Sequence, residues 1–147
     1  MDKVSSTQRS WIMSRVRSQN SQAELVVRRL IYSMGFRYRL HRKDLPGKPD
    51  IVLARLKCVV FVNGCFWHQH RCKRGNRRPA SNREYWIKKL QRNVSRDRLN
   101  IAKLKKQGWA VLVVWECQTA QRGGERLKRV VSKFLANRGQ RPIKARP

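Results

Sequence analysis

The stretch LPGKPDIVLARLKCVVFVNG, residues 45–64, indicates a pair of strands at the centre of the fold. It opens with a turn rich in Pro and Gly over residues 45–49. Two runs rich in β-branched residues follow, from Asp50 to Leu53 and from Cys58 to Val62. Short runs joined by a short connection are typical of a hairpin, so we expect two antiparallel strands that end at Asn63.

Helical patterns lie on both sides of this hairpin. Ser21, with Glu24 three residues later, forms a capping-box pattern that opens a first helix. The pattern predicts a long helix over 83–107 and a last helix over 125–135. Between them, residues 110–115 form a continuous apolar run, which is typical of a strand buried on both faces. This order predicts an α/β fold with a mixed β-sheet flanked by helices.

The chain has 147 residues, a length that suits one compact domain. We divide it into a basic N-terminal arm over 1–20, a domain over 21–137 and a basic tail over 138–147. It carries 36 Lys and Arg against 8 Asp and Glu, a net charge of +28. Self-repulsion on this scale favours a polyanionic partner. Nucleic acid is the first expectation, with the arm contacting DNA, and an anionic membrane is the rival.

The sequence argues against the membrane. No stretch reaches the roughly 18 apolar residues of a membrane span. The N-terminus from Met1 to Ser10 lacks the apolar centre of a signal peptide. We therefore expect a cytoplasmic protein, in which clustered Cys and His indicate a metal site before a disulfide.

Asp97 interrupts the apolar stripe of the long helix. It lies three residues after Val94 and four before Ile101, and therefore on the inward face. A buried carboxylate must be paired, hydrogen-bonded or bound to a metal. Two interpretations remain open: a structural salt bridge, for example with Arg39 or Arg96, or an acid with a functional role. The other members of the stripe are Trp86, Leu90 and Leu104.

Asp50 stands at the start of the first predicted strand, after a Pro-rich turn. A Pro-Asp pair beside a neighbouring strand is found in many metal-dependent nucleases, in which a hard cation neutralises the phosphate. An aspartate in this position is also common as a turn cap. The second strand lacks the acid and the lysine usual in such nucleases.

Four residues, Cys65, His70, Cys72 and Cys117, offer a ligand set for a tetrahedral zinc site. Unrelated thiols are the alternative, and His68 is a further candidate ligand. Cys58 lies inside a strand and is interpreted as a small core residue. Phe66 and Trp67 either wedge between DNA bases or pack over the zinc loop.

These motifs resemble the very short patch repair (Vsr) DNA mismatch endonucleases. The resemblance runs in the order and spacing of the family from about Glu24 to Cys117. The matching segments are 45–50 (LPGKPD), 60–68 (VFVNGCFWH), 84–86 (EYW), 93–98 (NVSRDR), 108–109 (GW) and 114–117 (VWEC).

The resemblance implies a restriction-endonuclease-like fold with a structural zinc site. It implies a strand-specific nick on the 5′ side of the thymine in a T·G mismatch, which arises when 5-methylcytosine is deaminated. The implied partner is double-stranded DNA carrying that mismatch. Mismatch-repair proteins are a further expected partner, and we expect a monomer in a bacterial cytoplasm.

The resemblance also implies roles for single residues. Asp50 and the main-chain carbonyl of Val62 match the Mg²⁺ ligands, His68 matches the histidine that activates water, and Asp97 matches the acid that holds it. Glu24 matches an acid near the site. The zinc ligands match Cys65, His70, Cys72 and Cys117, and the aromatic wedge matches Phe66, Trp67 and Trp86.

Two positions depart from the family pattern. Val62 replaces a threonine, which matters little if only its carbonyl binds metal. Asn63 replaces a histidine, and an amide does not titrate near neutral pH. If that histidine protonates the leaving oxygen, this protein must use a water molecule on the metal or react more slowly. The alternatives are an impaired relative that only binds mismatched DNA, a related nuclease with another DNA substrate and, more distantly, a structural RNA-binding protein.

Overall fold

The computed structural model describes residues 21–72, 75–76, 80–120 and 124–137. The expected arm over 1–20 and the expected tail over 138–147 lie outside the described residues. The elements are α1 (Gln22–Ser33), β1 (Arg39–Leu40), β2 (Ile51–Leu53), β3 (Cys58–Asn63), α2 (Arg83–Lys106), β4 (Ala110–Trp115), α3 (Glu116–Thr119) and α4 (Glu125–Ala136). A 3₁₀ turn over Ala54–Leu56 joins β2 to β3.

The four strands form one mixed sheet in the order β1-β2-β3-β4. The predicted hairpin is confirmed, because β2 and β3 are antiparallel with Ile51 opposite Val60. β3 and β4 are parallel, and Asn63 lies opposite Trp115 at their carboxyl ends. The carboxyl ends of β3 and β4 therefore lie side by side.

Successive residues of a strand point to opposite faces of the sheet, and both faces of this sheet carry apolar side chains. Helices cover both faces. On one face, Ile51, Cys58 and Val60 belong to a core shared with α1 and α4. On the other face, Val52 and Val59 pack with Leu104 of α2. The α/β class and the core position of Cys58 are confirmed. Among the described residues, no helix combines the length and apolar character that crossing a membrane requires.

The expectation of a β4 buried on both faces was wrong. Of its six residues only Val114 is fully buried, and the other five are half-buried. Among the described strands, β4 is the outermost of the sheet and pairs with β3 alone. A continuous apolar run therefore identified the strand but not its place at the sheet edge.

Helix α2 carries the predicted stripe, with Trp86, Leu90 and Leu104 buried. Val94, Asp97 and Ile101 in the middle of the stripe are half-buried, and Asp97 and Ile101 border a cavity. The turn before β2 is held against the same helix. Gly47 has φ of +76°, and a Cβ there would lie 3.0 Å from the Cβ of Asn100.

Candidate active site and metal cluster

The parallel pairing of β3 with β4 builds the site. Cys65 follows the end of β3 by two residues, and Cys117 follows the end of β4 by two residues in α3. The sheet therefore brings two segments together that are 52 residues apart in the chain, and the N–H of Cys117 donates a hydrogen bond to Cys65 Sγ at 3.4 Å. The loop over 64–72 follows β3 and also carries Phe66, Trp67, His68, His70 and Cys72.

The predicted zinc ligands converge. One ligand atom from each of Cys65, His70, Cys72 and Cys117 lies within 4.8 Å of the others. His70 Nδ1 lies 3.4 Å from Cys117 Sγ, and its ring stacks on Trp115 at a centroid distance of 4.3 Å. Three sulfurs and one imidazole nitrogen in this arrangement suit a tetrahedral Zn²⁺ site.

Burial raises the pKa of the Cys65 thiol to about 12, although the hydrogen bond from the Cys117 N–H opposes the rise. The Cys65 side chain is fully buried. A bound cation reverses this preference, because it stabilises the thiolate directly. The donor set and its burial therefore fit a metal better than a free thiol.

A cavity of about 240 Å³ lies beside this cluster. It is bounded by the segment over 41–50 that precedes β2, by β3, by α2 and by the loop over 64–72. The sequence-predicted residues that line it are Asp50, Val62, Asn63, His68 and Asp97. Residues predicted from separate motifs thus share one space.

Asp50 stands directly before β2, and β3 holds its side chain. The Val62 N–H donates a hydrogen bond to Asp50 Oδ2 at 2.7 Å. Burial raises the pKa of Asp50, while this hydrogen bond and the nearby side chains of His41, His68 and Arg28 oppose the rise. A partly buried carboxylate with one oxygen held by the main chain leaves the other oxygen for a cation, so Asp50 fits a divalent-metal ligand.

His68 and Asp97 form a hydrogen-bonded pair between His68 Nδ1 and Asp97 Oδ2. Their side chains are 28% and 29% exposed, so solvent or a ligand in the cavity can reach them. The alternative of a structural salt bridge to Arg96 is not what the structure shows, because Arg96 instead donates to the Asn93 side chain. Asp97, the acid on the inward face of α2, is therefore the hydrogen-bond partner of a histidine that lines the cavity.

The capping-box pattern predicts two hydrogen bonds between Ser21 and Glu24, and the carboxylate of Glu24 does not make its part. Its N–H donates to Ser21 Oγ at 3.2 Å, which completes one arm of the box. Its carboxylate instead turns inward, is 2% exposed and forms an ion pair with Arg28. His41 Nε2 lies 3.0 Å from each oxygen of the same carboxylate.

Sequence reasoning missed His41, which also lines the cavity. The available signal was its residue type alone, since it is one of three histidines in the chain and the other two match motifs. His41 adopts a left-handed backbone conformation with φ of 49°, in which His, Asn and Asp are found more often than other residues with a side chain. The main chain is fixed there, because the His41 N–H donates to the Asp50 carbonyl at 3.2 Å.

Phe66 and Trp67 of the loop form an aromatic cluster with Trp86 of α2. Trp67 lies 5.1 Å from Phe66 and 5.9 Å from Trp86 between ring centroids. Phe66 and Trp67 are half-buried, and the Lys89 ammonium lies 5.7 Å from the Trp67 ring centroid. Trp86 is 4% exposed, in the position that the stripe predicts and not that of a protruding ring. Contact of Trp86 with DNA stays a prediction.

Asn63 is the last residue of β3 and is 8% exposed. It lines the cavity together with Asp50 and His68. Its amide therefore stands at the position where the sequence departs from the pattern of the family it resembles. An amide can donate to and accept from a neighbour, but it cannot exchange a proton near neutral pH.

Comparison with known proteins places these observations in a family. A family model described as DNA mismatch endonuclease Vsr matches residues 1–74. The chain is 47% identical over 122 residues to the type II nicking enzyme V.XorIIP of Xanthomonas oryzae pv. oryzae, which covers 83% of this chain and 89% of that protein.

Two further relatives cover similar shares. The type II nicking enzyme V.NmeAIP of Neisseria meningitidis is 42% identical over 132 residues, 88% of this chain and 94% of that protein. The DNA mismatch endonuclease Vsr of Escherichia coli is 40% identical over 119 residues, 81% of this chain and 74% of that protein.

Proposed function

The chain belongs to the Vsr family of DNA mismatch endonucleases, and we propose that it nicks one strand of duplex DNA on the 5′ side of the thymine in a T·G mismatch. Such mismatches arise by deamination of 5-methylcytosine, and the nick starts very short patch repair. The name of the Escherichia coli relative supports a mismatch substrate, and the names of the other two relatives support a nick. The mixed sheet with helices on both faces is consistent with the restriction-endonuclease-like fold that the family implies.

One observation carries the catalytic part of the proposal: the hydrogen-bonded pair of His68 and Asp97 shares a cavity with Asp50. Asp97 Oδ2 accepts a hydrogen bond from the N–H at His68 Nδ1, which leaves Nε2 with its lone pair free. Nε2 then takes a proton from the water that attacks the phosphorus. The bond from phosphorus to the leaving oxygen breaks, and that oxygen takes a proton from a solvent water molecule. Asp97 stabilises the imidazolium that results, as a buried carboxylate does for other catalytic histidines.

Asp50 and the main-chain carbonyl of Val62 would hold Mg²⁺. When bound, the ion neutralises charge on the scissile phosphate and polarises it. Asn63 donates an amide hydrogen bond to a phosphate oxygen, and Glu24 keeps the surroundings of Asp50 polar. Among these residues only His68 moves a proton.

Zn²⁺ would be held by Cys65, His70, Cys72 and Cys117 and takes no part in the reaction. Its role follows from the loop over 64–72. His68 lies between two ligands in sequence, and its N–H donates to the Gly64 carbonyl at 3.2 Å. Closing the metal site therefore fixes the loop that presents the catalytic imidazole.

The net charge of +28 supplies the attraction to DNA. The arm over 1–20 and the tail over 138–147 add phosphate contacts, which orient the enzyme without reading sequence. Phe66 and Trp67 separate the base stack beside the mismatch, where unpairing costs least, with Trp86 beneath or beside them.

The decisive experiment uses three substrates: a T·G duplex, the matched duplex and the mismatched strand alone. We expect a single nick in Mg²⁺ on the T·G duplex and loss of that nick in Asp50→Ala. Asp44→Ala is the matched control, because Asp44 is exposed and pairs with Arg42 away from the cavity. Nicking that survives in Asp50→Ala contradicts the mechanism.

Asn63 favours one second candidate, a relative that binds the mismatch without cleaving it. That protein would bind the T·G duplex more tightly than the matched duplex and would leave both intact. Equal cleavage of all three substrates would instead indicate a nuclease with another specificity.

A further inference from the structure

The cavity beside the zinc cluster contains a single long cationic side chain. The chain has 36 Lys and Arg residues, but among the described residues that line this cavity Lys48 is the only one of either type. The same lining includes two carboxylates, those of Asp50 and Asp97. A phosphodiester that enters this space brings further negative charge, so a positive charge placed near the phosphate favours the reaction.

The turn before β2 fixes the main chain of Lys48. A Cβ on the preceding residue, Gly47, would lie 3.0 Å from the Cβ of Asn100, so the turn packs closely against α2. The Lys48 N–H donates to the Leu45 carbonyl at 3.0 Å, and its φ of 49° is a left-handed conformation that Lys rarely adopts. Leu45 and Pro49 are buried, whereas Lys48 is half-buried. The turn therefore anchors its neighbours in the fold and leaves the Lys48 side chain at the cavity wall.

The ammonium of Lys48 is not committed to the carboxylates of the cavity. Asp97 pairs with His68, and Asp50 accepts a hydrogen bond from the Val62 N–H. In the part of the chain that the structure describes, no ion pair includes Lys48. Its charge is therefore available to an anion that enters the cavity.

The charge of Lys48 also acts on the interior of the cavity. Burial lowers the pKa of His41, which lines the same space, and the positive charges of Arg28 and Lys48 add to the lowering, whereas Asp50 opposes it. Electrostatic interactions weaken with distance. The ammonium therefore lies close enough to interact with a charge inside the cavity.

The neighbouring strand does not supply a cation of this kind. β3 ends with Val62 and Asn63, and it lacks the lysine that is usual there in many metal-dependent nucleases. Lys48 lines the same cavity from the turn before β2. A different segment of the chain thus provides the ammonium that β3 lacks.

We propose that the ammonium of Lys48 contacts a non-bridging oxygen of the scissile phosphate and stabilises the negative charge that builds up there as water attacks. Lys48 is then a catalytic residue of the proposed function, on which this inference rests. The ammonium keeps its three protons, and His68 remains the residue that takes a proton from water. Because the phosphate is more negative in the transition state than in the bound substrate, the contact increases kcat more than it increases DNA affinity.

The kinetic test compares three variants of the full-length, zinc-loaded protein. Lys48→Gln removes the charge, Lys48→Arg keeps it, and Lys43→Gln removes an exposed charge from the same segment. The single-turnover nicking rate at saturating enzyme should fall about 10²–10³-fold in Lys48→Gln, the usual loss when one preorganised group that stabilises the transition state is removed. Lys48→Arg should recover most of this loss, and Lys43→Gln should nick as fast as the wild type.

Two controls accompany the rates. The Mg²⁺ concentration that gives half-maximal nicking should be the same in Lys48→Gln and in the wild type, because the ammonium acts on the phosphate and not on the ion. An unchanged melting temperature shows that each variant is folded.

A second measurement needs no cleavage. Neutral methylphosphonates replace the phosphates around the mismatch one at a time, and the binding of each duplex is measured without divalent cations. Lys48→Gln should bind the unmodified T·G duplex about three- to tenfold more weakly than the wild type, as expected for one charge-assisted contact. At one linkage the methylphosphonate should abolish this difference, and that linkage should be the one that the wild type nicks.

Three outcomes overturn the inference. Lys48→Gln that nicks as fast as the wild type would exclude a catalytic role, and a loss of affinity that no single methylphosphonate abolishes would make Lys48 a diffuse DNA contact. A rate that high Mg²⁺ restores in Lys48→Gln would show that Lys48 acts through the ion.

The proposed function is decided separately, by nicking of the T·G duplex in the wild type and in Asp50→Ala. If the wild type nicks a different duplex, the proposed function fails, and the same variants test Lys48 on that duplex. If it nicks none, the catalytic role of Lys48 fails as well, and the methylphosphonate series shows whether the phosphate contact exists without it.

Discussion

The Nδ1 of His68 is hydrogen-bonded to the Oδ2 of Asp97 across a separation of 29 residues. One residue lies in the loop after β3, and the other lies in the fourth turn of α2. The bond fixes which ring nitrogen is free, and a catalytic histidine depends on this choice. In the mechanism proposed above, this bond therefore connects the position of Asp97 on α2 to the proton transfer at His68.

Asp97→Asn should slow the nicking step while leaving DNA affinity unchanged. The amide can present its N–H to His68 Nδ1, which selects the wrong tautomer, and it cannot stabilise the imidazolium. We expect kcat to fall by about 10²–10⁴-fold, the usual contribution of general acid–base catalysis. Single-turnover nicking and a separate binding assay measure the two effects, with the exposed Asp44→Asn as control. A large loss of DNA affinity with unchanged kcat would show that Asp97 acts in binding.

Asp50→Asn should stabilise the protein in the absence of divalent cations. Burial raises the pKa of Asp50, so the folded state binds this proton more tightly than the unfolded state. Stability is therefore lost as pH rises from the ordinary value of 3.8 through the raised pKa, and the loss is complete above it. At pH 7 we expect the variant to melt about 2–4 °C above the wild type.

The comparison of Asp50→Asn with the wild type has two controls. The two melting curves should converge below pH 3.8, at which both side chains are neutral. Asp44→Asn should give no stabilisation, because the hydrogen bond from Arg42 lowers the pKa of Asp44. A variant that melts below the wild type at pH 7 would mean that the charge of Asp50 is already compensated.

Cys65→Ala should lose zinc, whereas Cys58→Ala should keep it. Both thiols are fully buried, but Cys65 joins the ligand cluster and Cys58 joins the apolar core. Elemental analysis of the two purified variants makes a matched comparison, since each removes one buried sulfur. Equal zinc content in both variants would exclude Cys65 as a ligand.

Metal-free protein should show a fixed order of thiol modification. At pH 8, iodoacetamide should modify Cys72 and Cys117 before Cys65, because only the thiolate reacts and burial raises the pKa of Cys65 to about 12. Peptide mapping by mass spectrometry gives the order, and added zinc should protect all three. Early modification of Cys65 would show that the loop opens without metal.

Trp67→Ala and Trp86→Ala should separate DNA binding from folding. Trp86 is 4% exposed, so its truncation should cost about 3–5 kcal/mol of stability. Trp67 is half-buried in the aromatic cluster with Phe66 and Trp86, so its truncation should mainly reduce the preference for a T·G duplex over a matched duplex. Denaturant unfolding and competition binding measure the two quantities. A reversal of the two effects would place Trp86, not Trp67, against the DNA.

Local sequence patterns predicted those features that depend on the periodicity of a helix or a strand. Asp97 was found because a charge interrupted an apolar stripe, and the β2–β3 hairpin was found because two β-branched runs followed a turn. Cys117 was matched to a cluster 45 residues upstream, and the parallel register of β3 with β4 explains the match physically.

Contacts set by tertiary packing were not predictable in the same way. The capping pattern described the N–H of Glu24 correctly, but its carboxylate contacts Arg28 and His41 instead of the helix end. His41 carries no motif, because its importance comes from a left-handed turn beside Asp50. The place of β4 at the sheet edge likewise depends on strand order, which an apolar run does not encode.

The loop over 64–72 interleaves two sets of residues, since Cys65, His70 and Cys72 converge on one cluster while His68 faces the cavity. Inserting or deleting one residue between Cys65 and Cys72 would misplace ligands and histidine together. We therefore expect related sequences to differ in this segment by substitutions and not by insertions or deletions. Single side chains can then change their chemistry, as Asn63 illustrates next to the loop, while the spacing of the ligands and of His68 stays constant.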